Sequence, residues 1–592
     1  MHRLAASLLA ALVLAIFSVS TAVAAVFTVN DTADAVDANP GDGICATATG
    51  TCTLRAAIME SNALGGDNTV FVGAGHFLLT LGALDIQRPS LVLSGAGPDQ
   101  TVIDGGGLGD VLFAQGQMVQ ISGVMVTNGG QFGIDFDIDN STLSISNSTI
   151  AGNAGGGVGG GFSNRITITD SVIRDNGGLG IGFGGGASSL VISRTTISGN
   201  GGGISVFNVS LSISDSTISD NKSAGGILLG CSPLDPPAVA GQFAAAGQIV
   251  VLPPAIINTT ISGNYGINGG GLRYEDLGCS FPGSFSGPIV NTTITNNHAT
   301  LGGGIFIDAI GFCAATTGPS FSNSIVAGNS ATEQGSDCFT AVSQCSATSR
   351  LPSDGYNLIG DATSCNFIAT TRDQVGTASN PINPGLGPLA SNGGPTMTHA
   401  LLPFISPAID AGSPEVPGSS NTACEPTDQR GITRPQDGDL DGDAAICDIG
   451  AFELGPRTDV AIEVEPFLPK DPIILTSPLP IAVAVLGSST ADVTKIDLTT
   501  LQFGPNGATP LFTHTVPANG QVDLVALFHV QDTGLAVGDT QACLRGAIGG
   551  QPFRACDGVL VIMGRGCGLG FELAPILPAL LWLRGRRRRK LA

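Results

Sequence analysis

Ser148-Thr149-Ile150-Ala151-Gly152-Asn153 decides the fold, because the same plan keeps returning. It recurs as Ser171-Val172-Ile173-Arg174-Asp175-Asn176, Thr195-Thr196-Ile197-Ser198-Gly199-Asn200 and Ser216-Thr217-Ile218-Ser219-Asp220-Asn221. Thr259–Asn264, Thr292–Asn297 and Ser324–Asn329 complete the series, and the apolar anchor advances by 23, 24, 21, 43, 33 and 32 residues. Periods of about 20–25 residues mark solenoids, and the Leu-rich consensus of leucine-rich repeats is missing. Leu143-Ser144-Ile145-Ser146 and Leu211-Ser212-Ile213-Ser214 alternate with the period of strands. One repeat then makes one coil of short strands, and coils stack in parallel register about 4.8 Å apart. The chain is therefore predicted to be all-β, with a right-handed parallel β-helix as its bulk. The 43-residue step reads as two ordinary steps, with an excursion near Cys231-Ser-Pro-Leu-Asp-Pro-Pro237.

Stacking turns repeated positions into columns. The Asn three places after each anchor, from Asn153 to Asn329, is expected to bond amide to amide and to turn backbone. Three places before the anchor stand Asn147, Asp170, Arg194, Asp215, Asn258, Asn291 and Asn323. Arg194 is expected to pair with the carboxylates one coil away on either side.

Composition agrees. Gly accounts for 86 of 592 residues and charged residues for only 12%, too apolar for disorder and suited to short strands and tight turns. A net charge of −23 argues against nucleic acid and anionic lipid as partners. Met1-His2-Arg3, the apolar run Leu4–Phe17 and Ala22-Val23-Ala24-Ala25 read as a secretory signal peptide (1–24) cut after Ala24 or Ala25. The 13 Cys then point to an oxidising compartment. Cys45/Cys52, Cys424/Cys447 and Cys543/Cys556 are candidate bridges; the cysteines from Cys231 to Cys365 stay unassigned, and Cys567 is left over.

Three resemblances extend the reading. Gly201–Ile204, Gly225-Gly226-Ile227, Gly269–Leu272 and Gly302–Ile305 resemble the GGxI repeats of polymorphic outer-membrane proteins and adhesin-like β-helices. Phe27-Thr-Val-Asn-Asp-Thr-Ala-Asp34 with Cys52-Thr53-Leu54-Arg55-Ala56-Ala57-Ile58 is similar to the CSLREA-type domain that opens many bacterial β-helix surface proteins. A short helix from Leu54 is expected to cover the first coil, with Arg55 packing rather than reacting. Gly385-Leu-Gly-Pro-Leu389, Asn392-Gly-Gly-Pro-Thr396, Ser406–Gly412 and Cys447–Glu453 resemble the choice-of-anchor type Q domain, which implies location rather than chemistry. The expected order is signal peptide 1–24, cap 25–95, β-helix 96–375, anchor-type region 376–456, β-sandwich 457–563 and sorting tail 564–592.

Inside the anchor-type region, Asp437-Gly438-Asp439-Leu440-Asp441-Gly442-Asp443, with Asp448 at the twelfth position, is a candidate Ca²⁺ loop. Hard cations take carboxylate and carbonyl oxygens, and Gly permits the sharp turn. Pro435 argues against an entering helix, so this is not an EF-hand. In the tail, Gly566-Cys567-Gly568, an apolar stretch to Leu583 and the basic run Arg584–Lys590 resemble bacterial C-terminal sorting signals. Cys567 is the candidate for processing, and membrane contact is expected through this tail alone.

A catalytic site is not evident. Asp135, Asp137 and Asp139 share one face of a strand, at about the spacing of inverting glycosidases, but an outward acidic strand gives the same pattern. His76, His298, His399, His514 and His529 are scattered, and serine-hydrolase, zincin, P-loop and dinucleotide motifs are missing. The expectation is a secreted protein of a bacterial cell surface, Gram-negative and at the outer membrane, with an adhesive or structural display role. Its partners would be cell surfaces or glycans, besides the export and sorting machinery. The alternative is a divergent β-helix polysaccharide lyase or glycoside hydrolase with a groove near Asp135–Asp139.

Overall fold

The computed structural model describes residues 24–87, 90–136, 141–161, 164–231, 255–276, 287–308, 317–342, 349–403, 405–437, 445–455, 460–466, 472–488, 491–518, 521–549 and 551–563. Twelve parallel strands, from Gly75–Leu78 to Gln374–Val375, form one face of a solenoid, one strand per rung. A complete rung has three strands. In the fourth they are Ile134–Phe136, Thr142–Ser146 and Thr149–Ala151, here called first, second and third. Leu143 pairs with Ile166 and Ile150 with Ile173 on the next rung, so like residues stack. Ile134, Phe136, Leu143, Ile145 and Ile150 point inward and are fully buried.

Each letter of the repeated motif has a physical cause. The leading Ser or Thr is buried and donates its hydroxyl to the carbonyl two residues earlier, as in Ser148 to Ser146 (2.8 Å) and Thr195 to Ser193 (2.9 Å). The Ile fills the core. The residue before Asn is left-handed: φ is 68° at Gly152, 56° at Asp175, 67° at Gly199 and 54° at Asp220. Gly, Asn and Asp bear that conformation at least cost, which is why only those three types occupy the column. The column three places before the anchor is left-handed too, with φ between 44° at Asn147 and 50° at Asp170 and Asp215. It is thus a column of turn residues first. Arg194 pairs with Asp170 at 2.6 and 2.7 Å, whereas Asp215 is bonded by Asn258.

The closing Asn builds an internal ladder. Asn153 donates from Nδ2 to Oδ1 of Asn176 (2.8 Å), and the relay continues through Asn200, Asn221, Asn264 and Asn297 to Asn329. From Asn176 onward the second amide proton goes to an anchor carbonyl one rung back, such as Ile150 or Ile173. Each Oδ1 also accepts the backbone N–H of the preceding Asn. Two donors and two acceptors per amide are used, which a buried Asn requires.

The long steps are single rungs, not double ones. Ile218 pairs directly with Ile261, so the 43-residue step spans one rung. The extra residues lie between first and second strands, after Ile227–Cys231 and before Ala255–Ile257. The steps of 33 and 32 are lengthened at the same corner. An insertion at one corner leaves the register of all three faces intact.

The amino-terminal end is closed as expected. Strand Val26–Val29 pairs with Asp67–Val72 of the first rung, and helix Leu54–Leu64 starts at Thr53, whose side chain accepts the Ala56 N–H. Arg55 grips Asp34 (2.6 Å) and donates to the carbonyls of Gly82 (2.6 Å) and Ala83 (2.9 Å). Cys45 and Cys52 are bridged. The first rung already begins at Asp67, so the closing elements are shorter than the expected 25–95.

After the last rung the chain doubles back. The described residues of 383–454 lie as a strap along the third face. Met397 receives the Thr217 hydroxyl (2.6 Å), Gln429 the Thr260 hydroxyl (2.7 Å), and Ala451 N–H donates to Thr293 (3.0 Å). Turn residues hold its edge: Asn258 donates to Thr427, while Asn291 and Asn323 accept N–H groups of Glu425 and Ser413, each at 2.8 Å. Beyond it, two antiparallel sheets share one core containing Val483, Phe503, Phe528, Leu544 and Phe553, a β-sandwich. Cys543 faces Cys556 on paired strands, and the two are bridged.

Candidate functional site

The solenoid's outward side chains are what a partner meets. On the first face one outward column runs Asp135, Gly159, Gly182, Ser205, Leu228, Arg273, Phe306, Phe339, each residue in register with the next. The glycines open a trough of about 430 Å³. Phe132 lies across Gly156 and Gly159, where an added Cβ would come within 2.4 and 2.7 Å of its ring. Phe207 covers Gly230 in the same way, at 2.2 Å. Leu179 sits between them against Gly182 and Gly202. Two rings packed against glycine backbone therefore line the trough, with Ser205 also among the lining.

Of the expected acidic group, Asp135 is described. It points outward between the buried Ile134 and Phe136, one rung before the trough, and does not line it. Asp137 and Asp139 lie outside the described residues. Farther along the face, Arg273 contacts Glu275, reaches Asp308 at 3.6 Å and lies 5.9 Å over Phe306, which stacks on Phe339 at 5.6 Å. Burial raises the Glu275 pKa, with the charge of Asp308 adding to it and that of Arg273 opposing it. This cluster closes on itself as an ion-paired group drawn from successive rungs, Arg273 and Glu275 on one and Phe306 and Asp308 on the next.

The strap contains a charged interior. Arg434 pairs with Glu453 (2.6 Å) with both side chains fully buried, and Arg430 pairs with Asp428 (2.7 Å) while lying 3.5 Å over the Phe452 ring. Asp448 is buried and accepts the N–H groups of Asp410 (2.8 Å) and Leu454 (2.5 Å). Burial first, then neighbouring Glu453, raises its pKa well above the ordinary value. Both oxygens are thus engaged inside the strap, a correction to its place in the expected Ca²⁺ set: at twelve residues the spacing matched, but the side chain turns into the protein. Asp437 is described, while Asp439, Asp441 and Asp443 lie outside the described residues, as does Cys567. Among the described residues no group of three or more His, Cys, Asp or Glu is placed to hold a metal.

One pairing has the look of a nucleophile and base. His399 Nε2 sits 2.8 Å from the Ser262 hydroxyl, and its Nδ1 lies 2.7 Å from the Gly387 carbonyl. With exposures of 2% and 3%, both are sealed between strap and solenoid, and burial lowers the His399 pKa. The pair fastens the strap. Cys424–Cys447 fastens it to itself, as the spacing suggested, and Cys338–Cys365 joins two of the unassigned cysteines. Ala24 is the first described residue.

A family model agrees with the fold over part of the chain. Residues 107–235 match the family described as right handed beta helix region. Among solved structures, the crystal structure of pectate lyase Pel9A aligns over 73% of this chain and 98% of its own, at 14% identity and a TM-score of 0.34. No curated protein matches the chain. The class is defined by the stacked rungs: this is a right-handed parallel β-helix protein.

Proposed function

We propose that the chain is an exported, envelope-anchored surface protein in which the β-helix serves an adhesive or structural display role without catalysis. The observation that carries this reading is the amide ladder from Asn153 to Asn329, in which buried side-chain amides bond one rung to the next. A rod so fastened is a rigid spacer. The signal peptide ending at Ala24, the CSLREA-type opening, the choice-of-anchor type Q resemblance and the tail with Cys567 support export and attachment at a bacterial outer surface. Ca²⁺ on Asp437, Asp439, Asp441 and Asp443 belongs to the same proposal; calorimetry of the full chain with CaCl₂ should show heat, and a flat titration removes it.

The test of display is accessibility on intact cells. An antibody against the strap should label unbroken cells, and deleting residues 564–592 should release the protein into the medium. Labelling only after lysis would end the display reading. A reducing-sugar assay on uronate and neutral polymers should stay at background; turnover lost on Asp137→Asn would replace display with polysaccharide cleavage.

A further inference from the structure

We propose that the trough on the first face binds a neutral glycan chain, lying between the Phe132 and Phe207 rings; the inference rests on the display reading and supplies its ligand. Two observations set this trough apart from the rest of the solenoid surface. First, the Phe132 and Phe207 rings that line it each pack against glycine backbone, Phe132 at Gly156 and Gly159 and Phe207 at Gly230. The rungs they cover are three apart, about 14 Å at the stacking distance of a parallel sheet. A flat ring face suits the C–H face of a sugar, as it suits other polarised C–H donors.

Second, Gly184 leaves open space at the trough, at the point where its strand's register against the next rung shifts. Its φ lies outside the left-handed range, and an added Cβ would meet nothing within 4 Å. At Gly156 and Gly159 an added Cβ would run into the Phe132 ring, whereas a side chain at Gly184 would project into free space. Charge selects among polymers. Among the described residues no charged side chain lines the trough, Asp135 stands one rung before its glycine floor, and the chain carries −23 overall. An anionic chain such as a uronate polymer is repelled, whereas a neutral one is not.

Affinity electrophoresis of the full chain through gels containing hydroxyethylcellulose, galactomannan or polygalacturonate tests this. Retardation is expected in at least one neutral polymer and not in polygalacturonate. Gly184→Gln fills the trough where the backbone has room, so it should keep the thermal midpoint of the parent and weaken retardation about tenfold; Phe207→Ala should weaken it similarly. Retardation by polygalacturonate alone, by no polymer, or equally in the Gly184→Gln protein overturns the proposal. Cell-surface labelling is measured separately, so a trough that binds nothing on a protein that is displayed sinks this inference and leaves display standing.

Discussion

At the residue scale, the ladder's last position is the most informative. The Asn column ends on a carboxylate: Asp337 Oδ1 accepts the Asn329 N–H (2.9 Å) and amide (3.0 Å) where another Asn would continue the relay. Burial raises the Asp337 pKa to about 6 despite those hydrogen bonds. The folded protein holds the proton up to about pH 6, while the unfolded chain releases it near 3.8. The stabilising contribution is therefore full below the unfolded value and lost as pH rises through 6, with an upper limit of about 3 kcal/mol. Thermal unfolding should show that decline between pH 4 and about 6.5, and Asp337→Asn should flatten it. In mid-ladder, Asn200→Ala strips partners from Asn176, Asn221 and the Ile173 carbonyl at once. A loss of about 2–4 kcal/mol is expected, read as a lower calorimetric midpoint; an unchanged midpoint would show that the ladder is incidental.

Elements explain where the repeat bends without breaking. Outward residues of the third strands are half-buried or exposed at Thr149, Val172, Arg174 and Thr196, but buried at Thr217, Thr260, Thr293 and Thr295. The change marks the start of the strap. Its hold depends on a buried ion pair, so Arg434→Met leaves Glu453 charged and unpaired in the interior. A cost of about 3–5 kcal/mol is expected, concentrated in the strap, and hydrogen exchange should speed up across residues 383–454 while the ladder rungs stay protected. Uniformly faster exchange would mean that strap and solenoid open as one unit. Residues 376–456 read as a separate region through their resemblance to the choice-of-anchor type Q domain. Their described residues form a cover because the Thr, Ser and Asn columns beneath them offer bonding groups.

For the whole molecule, a solenoid has two open ends, and each exposes strand edges that pair with other chains. Strand Val26–Val29 and helix Leu54–Leu64 close the first. Removing residues 24–66 should convert the protein to soluble oligomers or aggregate, seen as earlier elution on gel filtration. A monomer would show that the first rung protects itself. Among the described residues no helix is long and apolar enough to cross a membrane.

The sequence by itself determined what repeats locally. The capping helix and three of the bridges follow from local pattern; the rung plan and the bonded Asn column follow from spacing, because parallel stacking converts period into contact. Asp170 and Arg194 were legible as neighbours for the same reason. Only the tertiary structure decided what crosses the period. That the 43-residue step is one rung, that Asp448 turns inward, that His399 meets Ser262 and that Phe132 and Phe207 face one trough all depend on where the chain goes after it leaves the repeat. Contacts between segments 100 or more residues apart leave no regular spacing to read, and burial under a strap is a property of the strap's path rather than of the residues it covers.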